Sequence, residues 1–325
     1  MTEFHADDFG LFAAQSKRIL QCREPGALNG ISIFPNGDEL TECLTFLTDN
    51  HLALTIHLNL MQGHSLADPC LVPLLTDQNG VFSVGFGELL FCSLFGKRDV
   101  YKQQLKKELS AQIHALLPIF QEKDLPLRID GHAHWHMIPV VFDAMMEVIR
   151  DEMLPVSYIR IPAEPASVYL KNFFRILPFP PVNIIKSLLL SILSFINQRR
   201  WRSLLCRMEK RMFLGVLLSG CFDLRRMRAV LPDAEALSKK HGYGLELLAH
   251  PGAVYEDKDL IRTTNKNDRL FFTSPARSRE AEALVHICES FRFTAAPRCT
   301  KRGAAVKSGI MIIIHSKPDI RRQNS

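Results

Sequence analysis

Short stretches in which apolar residues alternate with polar ones or run together are separated along this chain by longer stretches in which they recur every three or four positions. The first kind covers Thr2 to Ala6, Ala27 to Phe34, Leu52 to Leu60, Leu125 to His136, Val156 to Pro162 and Tyr243 to His250, and predicts strands. The second kind predicts helices over Gly10 to Arg23, from Asp38 as a cap to about Asn50, Asp99 to Phe120, Pro139 to Glu152, Pro232 to His241 and Ser274 to Glu289. In the Asp99 to Phe120 helix, Leu105, Leu109, Ile113, Leu116 and Leu117 form one stripe. Residues 63–96 read as a polar, glycine-rich connection and residues 165–220 as a mostly helical insertion.

Strand and helix alternating over several cycles predict a parallel sheet with helices outside. The expected fold is therefore α/β, a distorted β/α (TIM-like) barrel over residues 1–290 with a helical insertion, followed by a tail, 291–325, to which no role is assigned.

Such barrels carry their chemistry at the carboxyl ends of the strands, and there this sequence places its polar residues. His5, Asp7 and Asp8 end the first strand, His57 and Asn59 a second, Asp130 to His136 a third, and Glu246 with His250 a fourth. Taken singly these are weak signals: an Asp-Asp pair is more often a helix cap, a lone histidine before proline a structural residue, and a His-x-His-x-His row a surface feature. Four clusters at one end of successive strands converge in space, which is what makes a site of them.

An aspartate and two histidines from different strands form a set that suits a divalent cation and leaves positions open for water and substrate. On an extended strand the first and third histidines of the row at 132, 134 and 136 would lie ~13 Å apart, at ~3.3 Å per residue, so at most two could reach one ion. The others are left for the substrate or for supporting the ligands. Asp7 and Asp8 would point to opposite faces unless the chain turns, and Phe9-Gly10 is the expected turn. One carboxylate on the cation and the other beside its water would divide the pair into ligand and general base.

Composition narrows the classes. The chain has 325 residues, 47% apolar, enough for a substantial core. Its formal charge of +6 is spread over scattered basic pairs without interleaved aromatics, so no nucleic-acid partner is expected. Eight cysteines with no Cys-x-x-Cys pair read as reduced, mostly buried thiols, and with the absence of a leader-like start this predicts a cytoplasmic protein. The apolar run from Ile184 to Ile196 contains Lys186 and is short of the ~20 residues of a transmembrane span, so none is expected. A buried helix is its first reading. Contact with a membrane surface is the second, because Arg199, Arg200, Trp201 and Arg202 follow at once. Oligomeric state is not legible.

The stretches "HADDFG", "IHLNL", "DGHAHWHMIP", "ELLAHPG" and "FFTSPARSREAEAL", in this order over residues 4–290, resemble the YdjC-like carbohydrate deacetylases, among them chitooligosaccharide deacetylases and deacetylase-like proteins of hopanoid biosynthesis. The resemblance implies a metal-dependent hydrolase that binds Mg or Zn and removes the N-acetyl group from an amino-sugar oligosaccharide or glycolipid. Carried over position by position, it implies Asp8, His57 and His132 as metal ligands, Asp7 as general base and His250 as the acid for the departing amine, with His134, His136, Arg160 and Glu246 toward the substrate. Two other classes stand beside it. One is a non-catalytic metal- and glycan-binding barrel; the other is a phosphoesterase, disfavoured by the lack of Arg or Lys beside the metal motifs.

Overall fold

The computed structural model describes residues 2–24, 26–48, 51–254, 269–270 and 272–295, with the backbone alone for 288–295. Seven strands form one sheet in which every neighbouring pair is parallel. They are β1 (Thr2–Phe9), β2 (Leu28–Ile33), β3 (Ala53–Leu58), β4 (Leu127–Gly131), β5 (Val156–Ile159), β6 (Arg211–Leu214) and β7 (Gly244–Ala249), in the spatial order β5-β4-β3-β2-β1-β7-β6. The sheet curls into an incomplete barrel whose open seam lies between β5 and β6. Two contacts bridge that seam without a ladder: the Glu209 N–H donates to the Ser157 carbonyl at 2.8 Å, and Glu164 accepts from the backbone N–H groups of Gly215, Val216 and Leu217 at 2.7 to 3.0 Å.

Alternation along β1 decides what lies on each side. Phe4 and Ala6 face outward into the layer of helices, whereas Glu3, His5 and Asp7 face into the barrel. Helices α1 (Ala13–Leu20), α2 (Leu40–Leu44), α3 (Phe86–Leu94), α4 (Arg98–Glu122) and α5 (Pro139–Asp151) follow in chain order around the first strands. Leu105, Leu109, Ile113 and Leu116 of α4 are fully buried; Leu117, at the edge of the expected stripe, is only partly so. Between β5 and β6 come α6 (Ala166–Lys171), α7 (Phe173–Ile176), α8 (Pro181–Arg200) and α9 (Arg202–Leu205); α10 (Leu224–His241) and α11 (Pro275–Ala295) complete the layer.

Several expected boundaries shift for physical reasons. The first strand is eight residues long, not five, because β1 is held on both edges by β2 and β7. The row after β4 is not strand: His132–Met137 is a 3-10 turn in which Ala133 and His134 take positive φ, 48° and 61°. The helix placed at Pro232 begins at Leu224, where the Asp223 carboxylate accepts from the Arg226 N–H at 2.8 Å, and Pro232 lies inside it. Asp38 caps nothing, since the adjacent helix starts at Leu40 after Glu39 and ends at Leu44. Within the expected helical insertion the four residues of β6 form a strand, and α3 occupies part of the connection 63–96. The last helix runs to Ala295, past the expected end; residues 296–325 of the tail lie outside the described residues.

Two expectations from composition also change. The six described cysteines are free, but only Cys22, Cys43 and Cys92 are buried. The apolar run extends to the 20 residues of α8, a helix long and apolar enough, by length and composition, to cross a membrane. One of its faces is committed to the barrel: Asn183 donates to the Leu217 and Ser219 carbonyls and Asn197 to the Met137 carbonyl.

Candidate active site

Because all seven strands are parallel, their carboxyl ends open on one side, and β1 lies near the middle of that rim. Asp7 ends the inward row of β1. Asp8 reaches the same space because its own backbone takes φ 72°, with a register shift against β2 between Ala6 and Phe9. The turn that aims both carboxylates is thus at Asp8 itself, one step before the expected Phe9-Gly10, and the strand continues through it.

Asp8, His57 and His132 each bring one potential ligand atom to within 4.8 Å of the others'. Asp8 Oδ1 lies 3.2 Å from His132 Nδ1 and 3.7 Å from His57 Nε2. His57 is aimed by Asp130: its Nδ1–H donates to Asp130 Oδ1 at 2.6 Å, which leaves Nε2 turned toward Asp8. That Nε2 is buried and has no hydrogen-bond partner. Phe34, fully buried, stands against both imidazoles with ring centroids 5.0 Å from His57 and 4.9 Å from His132. Gly131 permits the turn that delivers His132, since a Cβ there would lie 2.8 Å from the His136 ring.

The donor set fits a divalent cation. One carboxylate and two imidazoles meet in a buried pocket, one imidazole is oriented by a carboxylate on its far nitrogen, and its near nitrogen is otherwise unused. Burial alone would lower the pKa of His57, but Asp130 and Asp7 outweigh it and raise it above 6.5. That shift favours a proton on the imidazole, and a cation bound at Nε2 would have to displace it.

Asp7 lines the cavity beside these groups and is held from below by Arg160, whose Nη1 donates to both of its oxygens at 2.9 and 3.0 Å. Burial would raise the Asp7 pKa, yet Arg160 and then His57 keep it below the usual carboxylate range, so Asp7 is ionised. Asp8 is likewise pulled well down against burial by His132 and by Arg277, which donates to Asp8 Oδ2 at 2.6 Å. His250, just beyond β7, also lines the cavity. Its backbone N–H donates to Glu280 at 2.6 Å and its Nδ1 lies 3.6 Å from the same carboxylate, which raises its pKa above 6.5 against the effect of burial.

The cavity above measures about 440 Å³ and its remaining wall is largely apolar, with Phe86, Trp135 and Leu189 among the lining residues and Gln62, His134, Lys186 and Ser219 as its polar members. Of the residues expected to face the substrate, only His134 lies on this wall. His136 is buried 2.9 Å from the Arg160 carbonyl, and burial drives its pKa down to about 4, so it is neutral. Arg160 and Glu246 are wholly buried and joined at 2.6 Å inside the barrel, the Glu246 carboxylate accepting also from the Tyr158 hydroxyl. These three lie beneath the cavity rather than on its wall.

Sequence reasoning gave no part to Arg277 or Glu280. They lie three apart on α11, on one helical face, and the family-like segment "SPARSRE" that holds them was the available signal. The metal motifs have no Arg or Lys beside them in sequence; the fold brings Arg160, expected toward the substrate, together with Arg277 and Lys186 to them from distant segments.

A model of the YdjC-like protein family matches residues 3–291. A carbohydrate deacetylase of Danio rerio is 25% identical over 161 residues, covering 49% of each chain. A chitooligosaccharide deacetylase of Proteus mirabilis is 27% identical over 161 residues, 49% of this chain and 59% of its own. A carbohydrate deacetylase of Thermoanaerobacter pseudethanolicus is 30% identical over 155 residues, 47% and 57% respectively. The chain spans roughly half to three fifths of the length of these curated relatives. A crystal structure from Enterococcus faecalis, titled as a candidate cellobiose-phosphate cleavage protein, superposes with a TM-score of 0.60 at 18% identity over 90% of this chain and 94% of that one, a likeness of fold.

Proposed function

Taking as premise that the chain belongs to the YdjC-like family, we propose that it is a divalent-metal-dependent hydrolase that removes the N-acetyl group from an amino-sugar carbohydrate. The observation that carries this reading is the unpartnered Nε2 of His57 facing Asp8 and His132 beside an ionised Asp7. The names of the similar proteins, carbohydrate and chitooligosaccharide deacetylase, supply the reaction class.

Asp8, His57 and His132 would hold the cation, Mg or Zn. Bound there, it would supply Lewis-acid polarisation of the amide carbonyl and a more acidic water. Asp7, kept ionised by Arg160, takes the proton as water oxygen bonds to the acetamide carbon. His250, whose protonated form Glu280 favours, gives its proton to the sugar nitrogen as the C–N bond breaks, releasing acetate and a free amine. His134 lines the chamber, and burial, Arg160 and His136 hold its pKa well below 6.5, so it offers the substrate a neutral imidazole. Phe86 and Trp135, with ring centroids 5.7 Å apart, give an apolar wall for a sugar ring. His136, Arg160 and Glu246 support these groups from below. A cytoplasmic location is part of the proposal and accords with the free cysteines.

Phosphate ester cleavage is the weaker reading, because Arg160 and Arg277 are already engaged by Asp7 and Asp8 and, among the described residues, Lys186 is the one Lys or Arg left on the wall for a phosphate. The test is acetate release from N-acetylated chitooligosaccharides by protein loaded with Mg or Zn, beside the Asp7→Asn variant. Acetate from the wild type and none from a folded variant is expected. Phosphate release with no acetate, or cation binding without any turnover, contradicts it.

A further inference from the structure

Helix α8 has two unlike faces. Toward the barrel it presents Leu190, Leu193 and Asn197, all buried, while Lys186 and Leu189 line the wall of the cavity that holds Asp7 and His250. Away from the barrel it presents Ile184, Ile185, Leu188, Ile192 and Phe195, which fall within about 100° of arc at 3.6 residues per turn. All five are exposed, Ile185 to 68%. On the neighbouring α6 and α7, Leu170 and Phe174 are exposed to 74% and 88%. An exposed apolar stripe of this kind is not what a monomer presents to water at random.

The segment that carries it is basic. Residues 165–202 contain six basic side chains and no acidic one, so this segment alone carries as much formal charge as the whole chain, +6. Lys171 and Arg200 are paired with Asp233 and Asp143, but Arg175, Lys186, Arg199 and Arg202 are exposed. An apolar stripe flanked by basic residues fits the interface of an anionic bilayer, where the stripe meets acyl chains and the basic residues meet phosphates. A spanning orientation does not fit, since the opposite face hydrogen-bonds the barrel through Asn183 and Asn197.

We propose that the outer face of α8, with Leu170 and Phe174, docks this protein on anionic phospholipid membranes with the catalytic cavity beside the lipid surface. Resting on the deacetylase reading, the consequence is a substrate whose N-acetylated sugar is carried on a lipid.

The test is co-sedimentation of the full chain with vesicles of phosphatidylcholine, alone or with about one third phosphatidylglycerol, a lipid of the anionic kind that attracts basic surfaces. Binding to the anionic vesicles, weakened by salt, is expected, with a loss of about tenfold or more in the Ile185→Glu, Leu188→Glu double variant, whose side chains carry the apolar contact. Arg199→Glu with Arg202→Glu weakens binding without touching the stripe, which guards against misfolding of the first variant. Acetate release from a soluble chitooligosaccharide stays unchanged in both variants, while release from a vesicle-borne N-acetylated glycolipid falls. No vesicle binding, or binding indifferent to both variants, overturns the proposal. So does a dimer, measured by light scattering, that the stripe substitutions dissolve, since it gives the face to a second copy. Because docking is read without turnover, failure of the deacetylase reading leaves its result intact.

Discussion

The body of the barrel and its mouth use the same kinds of residue to opposite ends. In the body, Glu3, Arg128, Asp130, Arg160, Tyr158 and Glu246 are buried and bound to one another: Arg128 donates to both Glu3 oxygens at 3.0 and 2.8 Å, and Arg160 joins Asp7, Asp130 and Glu246. His5 bridges Glu3 and Ser32 at 2.7 Å from each, and Ser32 donates to Asp130 at 2.5 Å. Among the described residues, the atoms left over there include guanidinium nitrogens of Arg128, Arg160 and Arg211, which can donate but cannot hold a cation, along with Thr55 Oγ1 and His136 Nδ1, each on its own rather than in a set with a carboxylate and a second imidazole. At the mouth the unpartnered atoms include two imidazole nitrogens, His57 Nε2 and His134 Nδ1. A histidine, unlike an arginine, can offer a lone pair. Identical burial therefore means matched ion pairs in one layer and a convergent set of potential cation ligands, Asp8, His57 and His132, in the other, with Asp130 belonging to both.

The comparison breaks most readily at Asp7. Asp7→Asn keeps its size and leaves Arg160 with Asp130 and Glu246, so acetate release should fall by about 10²- to 10⁴-fold, the worth of a general base, while the melting temperature moves little. The counterpart in the body is Arg160→Met, which strands three buried carboxylates. Breaking a buried ion pair from one side costs about 3–5 kcal/mol, and thermal unfolding should show a loss of that order with or without added cation. If Arg160→Met instead left stability intact, the two layers would not differ as described. Asp130→Asn lies between them: it should weaken cation binding by about 10- to 100-fold, the usual effect of losing the residue behind a metal-bound histidine, measured by titration calorimetry.

The fold was legible where the pattern was long. Strand and helix alternation predicted the parallel barrel, and β1, β2, β3 and β7 lie inside their expected spans except that β1 runs longer. β6 escaped because four residues, Arg-Met-Phe-Leu, are too few to show a period next to apolar helices. The candidate ligands were legible as residues, since Asp8, His57 and His132 end strands, but their geometry was not. The row after Asp130 turns at Gly131 into a 3-10 helix with two positive φ values, and no alternation rule reveals that turn. Nor could spacing show that Arg160 and Glu246 pair inside the barrel, because they lie 86 residues apart, just after β5 and within β7, strands that are not neighbours in the sheet.

The buried carboxylates and His250 should also respond to pH in opposite directions. Asp7 and Asp130 are lowered in the folded state, so the stability they contribute is full above their ordinary value of 3.8 and is lost as pH falls through the folded values. His250 is raised, so the contribution of its contact with Glu280 is full below 6.5 and is lost as pH rises through the folded value. Accordingly kcat/KM should decline on the alkaline side at a pH above 6.5, and His250→Asn should lower the rate and remove that limb. A limb unchanged in the variant would remove His250 from the role of acid. This is the smallest of the effects.

Cation binding to the metal-stripped full chain, followed by calorimetry with Zn or Mg and beside the Asp8→Asn and His57→Ala variants, tests the central claim most directly. The account predicts one cation per chain, taken up with release of a proton from His57 at pH below its folded pKa, and lost in both variants while their circular dichroism stays that of the wild type. A chain that takes up no cation, or one whose uptake is the same in both variants, would contradict it.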